Sequence, residues 1–222
     1  MKKGYTDITV VLDRSGSMGG IKDDTIGGYN TFIEKQREVP GTATVTLVQF
    51  DDKYEVNYTA MNIKEVPKLN KDSFVPRGMT ALVDAMGKSI DATGRRIKEM
   101  NEADRPENVI FVVITDGEEN HSRTYSHNKV MDSIKHQTDK YNWLFVYLGA
   151  NQDAIKVGGT FGFSSANSMS WGANTLGVGA TYVAVADNMT NYRMGKAVAM
   201  NFTAADRDAA MGTEDIKFTS KV

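Results

Sequence analysis

Short apolar runs alternate with longer stretches of helical periodicity along most of the chain. Residues 8–12 (Ile-Thr-Val-Val-Leu) and 109–114 (Val-Ile-Phe-Val-Val-Ile) are nearly continuous and β-branched. That is the pattern of strands buried on both faces. Residues 43–50 alternate, and after Asp51-Asp52-Lys53 residues 54–61 return. This predicts a hairpin whose second member is an antiparallel edge strand. Residues 143–148 read as a further strand and 164–168 as a short final one. Ile21, Ile26, Tyr29, Phe32 and Ile33 form one apolar stripe of a helix that stops at Val39-Pro40-Gly41, because proline disfavours helix at the residue before it. Leu82, Ala85, Met86, Ser89, Ile90, Thr93 and Ile97 mark a second helix. Val130, Met131 and Ile134 mark a third, over about 125–141. Residues 151–159 predict a short helix and 175–193 a closing one, weakened by Gly177 and Gly179. Residues 62–77, with two prolines, read as a long loop, and 101–108 as a charged surface link. Strands alternating with helices imply an α/β fold: a doubly wound, mostly parallel sheet of about six strands with helices on both faces.

The candidate chemistry sits where the buried runs end. The first run leads into Asp13-Arg14-Ser15-Gly16-Ser17, a carboxylate and two hydroxyls at alternate positions just before a helix. In open α/β sheets ligands bind at that end of the strands. Gly16 is expected to permit a tight turn. Three hard oxygens facing one point suit Mg²⁺, Mn²⁺ or Ca²⁺. The competing explanation is a Ser/Gly-rich loop whose hydroxyls cap the next helix. The second run ends in Thr115-Asp116-Gly117. Between the two, Arg77-Gly78-Met79-Thr80-Ala81-Leu82 presents Thr80 on a glycine turn just before a helix.

Asp13, Ser15, Ser17, Thr80 and Asp116 occur in order, each at the end of the expected element. Together they resemble the five-position metal-ion-dependent adhesion site of von Willebrand factor A (VWA) domains, and the likeness spans about residues 7–193. The resemblance implies a Rossmann-like sheet of strand order 3-2-1-4-5-6, with one VWA domain over residues 1–195 and a C-terminal tail or arm over 196–222. It implies a divalent cation, Mg²⁺ first and Mn²⁺ or Ca²⁺ as alternatives. Ser15, Ser17 and Thr80 would bind it directly, and Asp13 and Asp116 through water. It also implies a protein partner whose Asp or Glu side chain completes the coordination, and no catalysis. The type resembled is the stand-alone domain of bacteria and their phages.

Composition narrows this further. The 222 residues carry a formal net charge of −2, which gives no global field toward nucleic acid or anionic membrane. The chain has no cysteine, which excludes disulfides and thiolate sites. The start runs straight into the first strand without an apolar signal region, so a cytoplasmic protein is expected. Arg14 is expected to be solvated, Glu118 and Glu119 to begin a polar loop, and Asp51 and Asp52 to be hairpin-turn residues. Asp84 is expected either to orient Thr80 or a metal-bound water, or to be an ordinary first-turn acid. A Ser17, His121, Asp116 relay is the enzymatic alternative at residue level, but no Gly-x-Ser-x-Gly elbow or Walker loop supports it. At the level of function the alternatives are a metal-dependent hydrolase using the same oxygens and a structural subunit of a larger assembly. For residues 196–222 a poorly ordered tail is expected, with 215–222 as a strand candidate and a homo-oligomer formed through this arm as the alternative.

Overall fold

In the computed structural model, which describes residues 1–150 and 152–212, the first buried run becomes the middle of a six-stranded sheet. The strands are β1 (Lys2–Asp13), β2 (Thr42–Phe50), β3 (Tyr54–Asn62), β4 (Pro106–Thr115), β5 (Leu144–Ala150) and β6 (Ser168–Trp171). Their order is β3-β2-β1-β4-β5-β6, all neighbours parallel except the β2–β3 hairpin. The topology, the parallel centre and the antiparallel edge are those expected.

Helices cover both faces, and strand periodicity decides which residues meet them. Ile8, Val10 and Leu12 of β1 join Ile110, Val112 and Ile114 of β4 under α1 (Lys22–Glu38) and α5 (Thr175–Arg193). The alternate residues Val11, Val109, Phe111 and Val113 lie under α2 (Leu82–Glu99), α3 (His127–Tyr141) and α4 (Ala154–Thr160). Burying both faces of the central strands is why their sequences run apolar without alternation.

Three boundaries differ from expectation. β1 begins at Lys2, six residues before the apolar run, because its polar start still pairs with β2 and β4. Pro106 opens β4 rather than lying in a surface link, at the strand's first position where a missing N–H is tolerated. β6 starts at Ser168, because Ser164 accepts a hydrogen bond from the Ala166 N–H and winds residues 165–167 into a 3₁₀ turn.

The expected free tail is also corrected. Met200, Phe202 and Ala210 are buried in the α1/α5 core. Residues Ala204–Ala210 form α6, started by a reciprocal Thr203–Asp206 capping box. Arg207 of this helix donates to the carbonyls of Ser168 (2.6 Å) and Ser165 (2.8 Å), and the Gly172 N–H bonds the Ala210 carbonyl at 2.9 Å. The segment thus closes over the β6 edge of its own sheet. The strand candidate at 215–222 lies outside the described residues. Among the described residues no helix is long and apolar enough to cross a membrane.

Candidate metal centre

β1 and β4 run in register, Leu12 beside Ile114, so Asp13 and Thr115 leave the sheet together. The chain departs from β1 toward α1 on one face and from β4 toward α3 on the other. The two strands therefore flank the switch point of the sheet.

Asp13 is fully buried and held at both oxygens. Its Oδ1 accepts the Ser15 N–H at 2.7 Å, and its Oδ2 accepts the Thr115 hydroxyl at 2.6 Å. The Ser15 and Ser17 hydroxyls meet at 3.0 Å, and the Ser17 hydroxyl donates to Asp116 Oδ1 at 2.6 Å. Ser15 precedes the 3₁₀ turn Gly16–Ile21, yet its side chain makes no capping bond. The serine hydroxyls therefore face the carboxylates and do not cap the helix. Gly16 has no positive φ, and the space beside it would admit a Cβ. Its contribution is an N–H donated to the Gly78 carbonyl at 3.2 Å, which ties the serine loop to the Thr80 loop.

Thr80 is buried and held by its backbone. Its N–H donates to Asn120 Oδ1 at 2.9 Å, and its carbonyl accepts from the N–H groups of Asn120 (3.0 Å) and His121 (3.1 Å). A Cβ at Gly117 would stand 2.9 Å from Thr80 Oγ1 and 3.5 Å from Asp13 Oδ2. Those two oxygens border one point, kept clear because residue 117 has no side chain. The Thr80 hydroxyl makes no hydrogen bond among the described residues. All five predicted residues thus converge, linked by hydrogen bonds or across Gly117.

Four neighbouring residues depart from expectation. Arg14 is buried, not solvated: its Nε is 3.1 Å from the fully buried Asp51, and its other arm pairs with Glu55. Arg77 joins the same acids at 2.9 and 3.3 Å. Asp51 is therefore more than a turn residue, and its backbone carbonyl also accepts the Ala81 N–H. This cluster fastens three loops around Thr80. Asp84 neither orients Thr80 nor merely faces a helix dipole. It accepts the backbone N–H groups of Arg123, Thr124 and Tyr125 at 3.1, 2.9 and 2.7 Å. Burial pushes its carboxyl up, but these bonds outweigh burial and hold it below the usual range. Glu119, read as a loop acid, binds the N–H groups of Val83, His121 and Ser122. Thr115 and Asn120 also serve the site; the one sequence signal for Thr115 is its place directly before Asp116. No relay forms at Ser17, whose hydroxyl bonds Asp116 directly with no histidine between.

Burial raises the Asp13 carboxyl from the usual 3.8 to about 6, and the charge of Asp116 adds to the effect. Burial raises Asp116 as well. Two carboxylates are thus held at a cost beside three hydroxyls, one of them uncommitted. Among the described residues no group of three or more His, Cys, Asp or Glu could hold a metal. An ion here would depend on the hydroxyls, and this hard-oxygen set fits a divalent cation.

The model of the von Willebrand factor type A domain matches residues 7–156. No curated protein sequence matches the chain. Among solved structures, proximal thread matrix protein 1 from the mussel byssus, with a zinc-occupied MIDAS motif, is 15% identical (TM-score 0.55; 84% of this chain, 46% of that one). A von Willebrand factor type A protein from Catenulispora acidiphila is 16% identical (TM-score 0.56; 86% and 43%). The pilus adhesin SpaC of Lactobacillus rhamnosus GG is 12% identical (TM-score 0.63; 86% and 30%). The chain spans less than half the length of each of these structures.

Proposed function

We infer the function from one premise: the chain belongs to the von Willebrand factor type A domain family. On that premise it is a divalent-metal-dependent protein-binding module. Asp13, Ser15, Ser17, Thr80 and Asp116 hold the ion, and a partner Asp or Glu completes the site. The observation that carries this reading is the chain of contacts Asp13–Ser15–Ser17–Asp116, closed across Gly117 by an uncommitted Thr80 hydroxyl. A bound cation would supply a positive centre for a partner carboxylate in a partly dry crevice, where charge pairing is stronger than in water. The protein's own part is positional. Thr115 and the Ser15 N–H fix Asp13, Asp116 fixes the Ser17 hydroxyl, and Asn120 fixes the Thr80 backbone.

The zinc-occupied motif of the mussel protein supports a divalent ion in this family. We assign Mg²⁺ to this chain, because Mg²⁺ keeps several of its waters and Asp13 and Asp116 are read as acting through water. Calorimetric competition between Mg²⁺, Mn²⁺, Ca²⁺ and Zn²⁺ tests that assignment. The function itself is tested by isolating interactors with Mg²⁺, with EDTA and with Thr80→Ala. Interactors lost in the last two conditions support the reading. Interactors retained equally in all three would place binding on another surface.

A further inference from the structure

Beside Thr80 a pocket of about 230 Å³ opens between the β2–β3 turn, the first turns of α2 and the loop after β4. Its wall continues that of the candidate metal centre: Ala81, which lines it, follows Thr80 directly, and His121, which also lines it, donates its N–H to the Thr80 carbonyl at 3.1 Å. The pocket is small. Sites for small organic ligands run to roughly 300–1,000 Å³, so this one suits a single side chain rather than a cofactor.

The lining charges decide which side chain. Lys53, Lys88 and Arg123 all line the pocket, and none makes an ion pair among the described residues. Lys88 Nζ instead stands 5.6 Å above the Tyr54 ring. Two acids also face the pocket. Asp84 is consumed by three backbone N–H groups, and exposed Asp52 is turned against Gly78, where a Cβ would collide with its Oδ1. Three cations without a carboxylate partner, set against exposed Asp52 as the one acid not consumed by N–H groups, thus leave a positive surplus around space for one anionic group.

We propose that this pocket binds a second carboxylate of the partner, so that the protein recognises an acidic segment bearing two acids rather than one Asp or Glu. This rests on the metal-centre reading: one acid goes to the Thr80 site and the other to Lys53, Lys88 and Arg123. Charge-assisted hydrogen bonds give the second acid its affinity.

The test uses the full chain and two fluorescent hexapeptides, one with a single Asp among Gly and Ser and one with two. Binding is followed with Mg²⁺ and with EDTA, for wild type and for Lys88→Glu/Arg123→Glu. The milder Lys88→Gln/Arg123→Gln serves alongside, and melting curves confirm folding. With Mg²⁺ the two-acid peptide should bind wild type about tenfold more tightly than the one-acid peptide, the gain of one charge-assisted contact. Both variants should erase that preference and leave Mg²⁺ affinity unchanged. A preference that survives the reversed charges, or that never exists in wild type, overturns the pocket. Failure of the metal reading shows differently: wild type would bind either peptide equally with Mg²⁺ and with EDTA, while loss of the two-acid preference in the variants would still report on the pocket.

Discussion

Asp13→Asn should stabilise the metal-free protein and abolish its response to metal. Burial moves the Asp13 carboxyl from the usual 3.8 to about 6. Each pH unit of that difference is worth about 1.4 kcal/mol, so the ionised carboxylate costs the native state about 3 kcal/mol at neutral pH. The side chain is fully buried, so solvent does not screen this away. The native state holds the Asp13 proton more tightly than the unfolded chain does. Stability of the metal-free protein therefore falls as pH rises from about 4 to about 6, and the full cost stands above about 6. Asn keeps the geometry. Its oxygen can accept the Ser15 N–H, and its amide can donate to Thr115, whose hydroxyl already reaches the Gly117 carbonyl at 3.1 Å. In EDTA at neutral pH the variant should melt roughly 6–12 °C above wild type, at about 2–4 °C per kcal/mol for a chain of this size. Metal at about a hundred times its dissociation constant should return roughly 2.7 kcal/mol to wild type and nothing to the variant, so the two converge. Thermal melts across that pH range, with EDTA and with Mg²⁺, decide it. An Asn variant no more stable than wild type in EDTA, or one still stabilised by Mg²⁺, refutes the reasoning.

Thr80→Ala should leave the melting curve in EDTA within about 1 kcal/mol of wild type, because the backbone of Thr80 carries its structural bonds, while metal-induced stabilisation is lost. Asp51→Ala should cost about 3–5 kcal/mol in urea titration, since it leaves the buried Arg14 guanidinium without its buried partner; a loss below about 1 kcal/mol would mean that Glu55 alone neutralises it. Phe202→Ala should cost about 3–5 kcal/mol by the same measurement, because Phe202 is buried in the α1/α5 core; a neutral result would return residues 196–212 to the status of a tail.

The sheet is legible because the central strands carry nearly continuous apolar, β-branched runs, interrupted in residues 8–12 only by Thr9, as a sheet covered on both faces requires. Asp13 and Asp116 were legible for the same reason, each standing where a buried run stops. Thr80 was found from a glycine turn leading into a helix, although Gly78 contributes a positive φ of 69° and Gly16 does not. Arg14, Asp51 and Asp84, whose surroundings differ from expectation, share one property: their deciding partners come from other loops. Arg14 reads as solvated until Asp51 and Arg77 arrive beside it from the β2–β3 turn and the Thr80 loop. Asp84 reads as a first-turn acid until the loop after β4 folds three N–H groups onto it. Met200, Phe202 and Ala210 follow no period, and their burial goes with a segment docked by Arg207, by the Phe202 N–H on the Ala166 carbonyl and by the Gly172–Ala210 bond. Spacing along the chain therefore reports which oxygens one loop can offer. The charges that surround those oxygens depend on which loops the topology gathers at the switch point. In this chain the β2–β3 turn, α2 and the loop after β4 contribute Lys53, Lys88 and Arg123 to one pocket, which Ala81 and His121 also line.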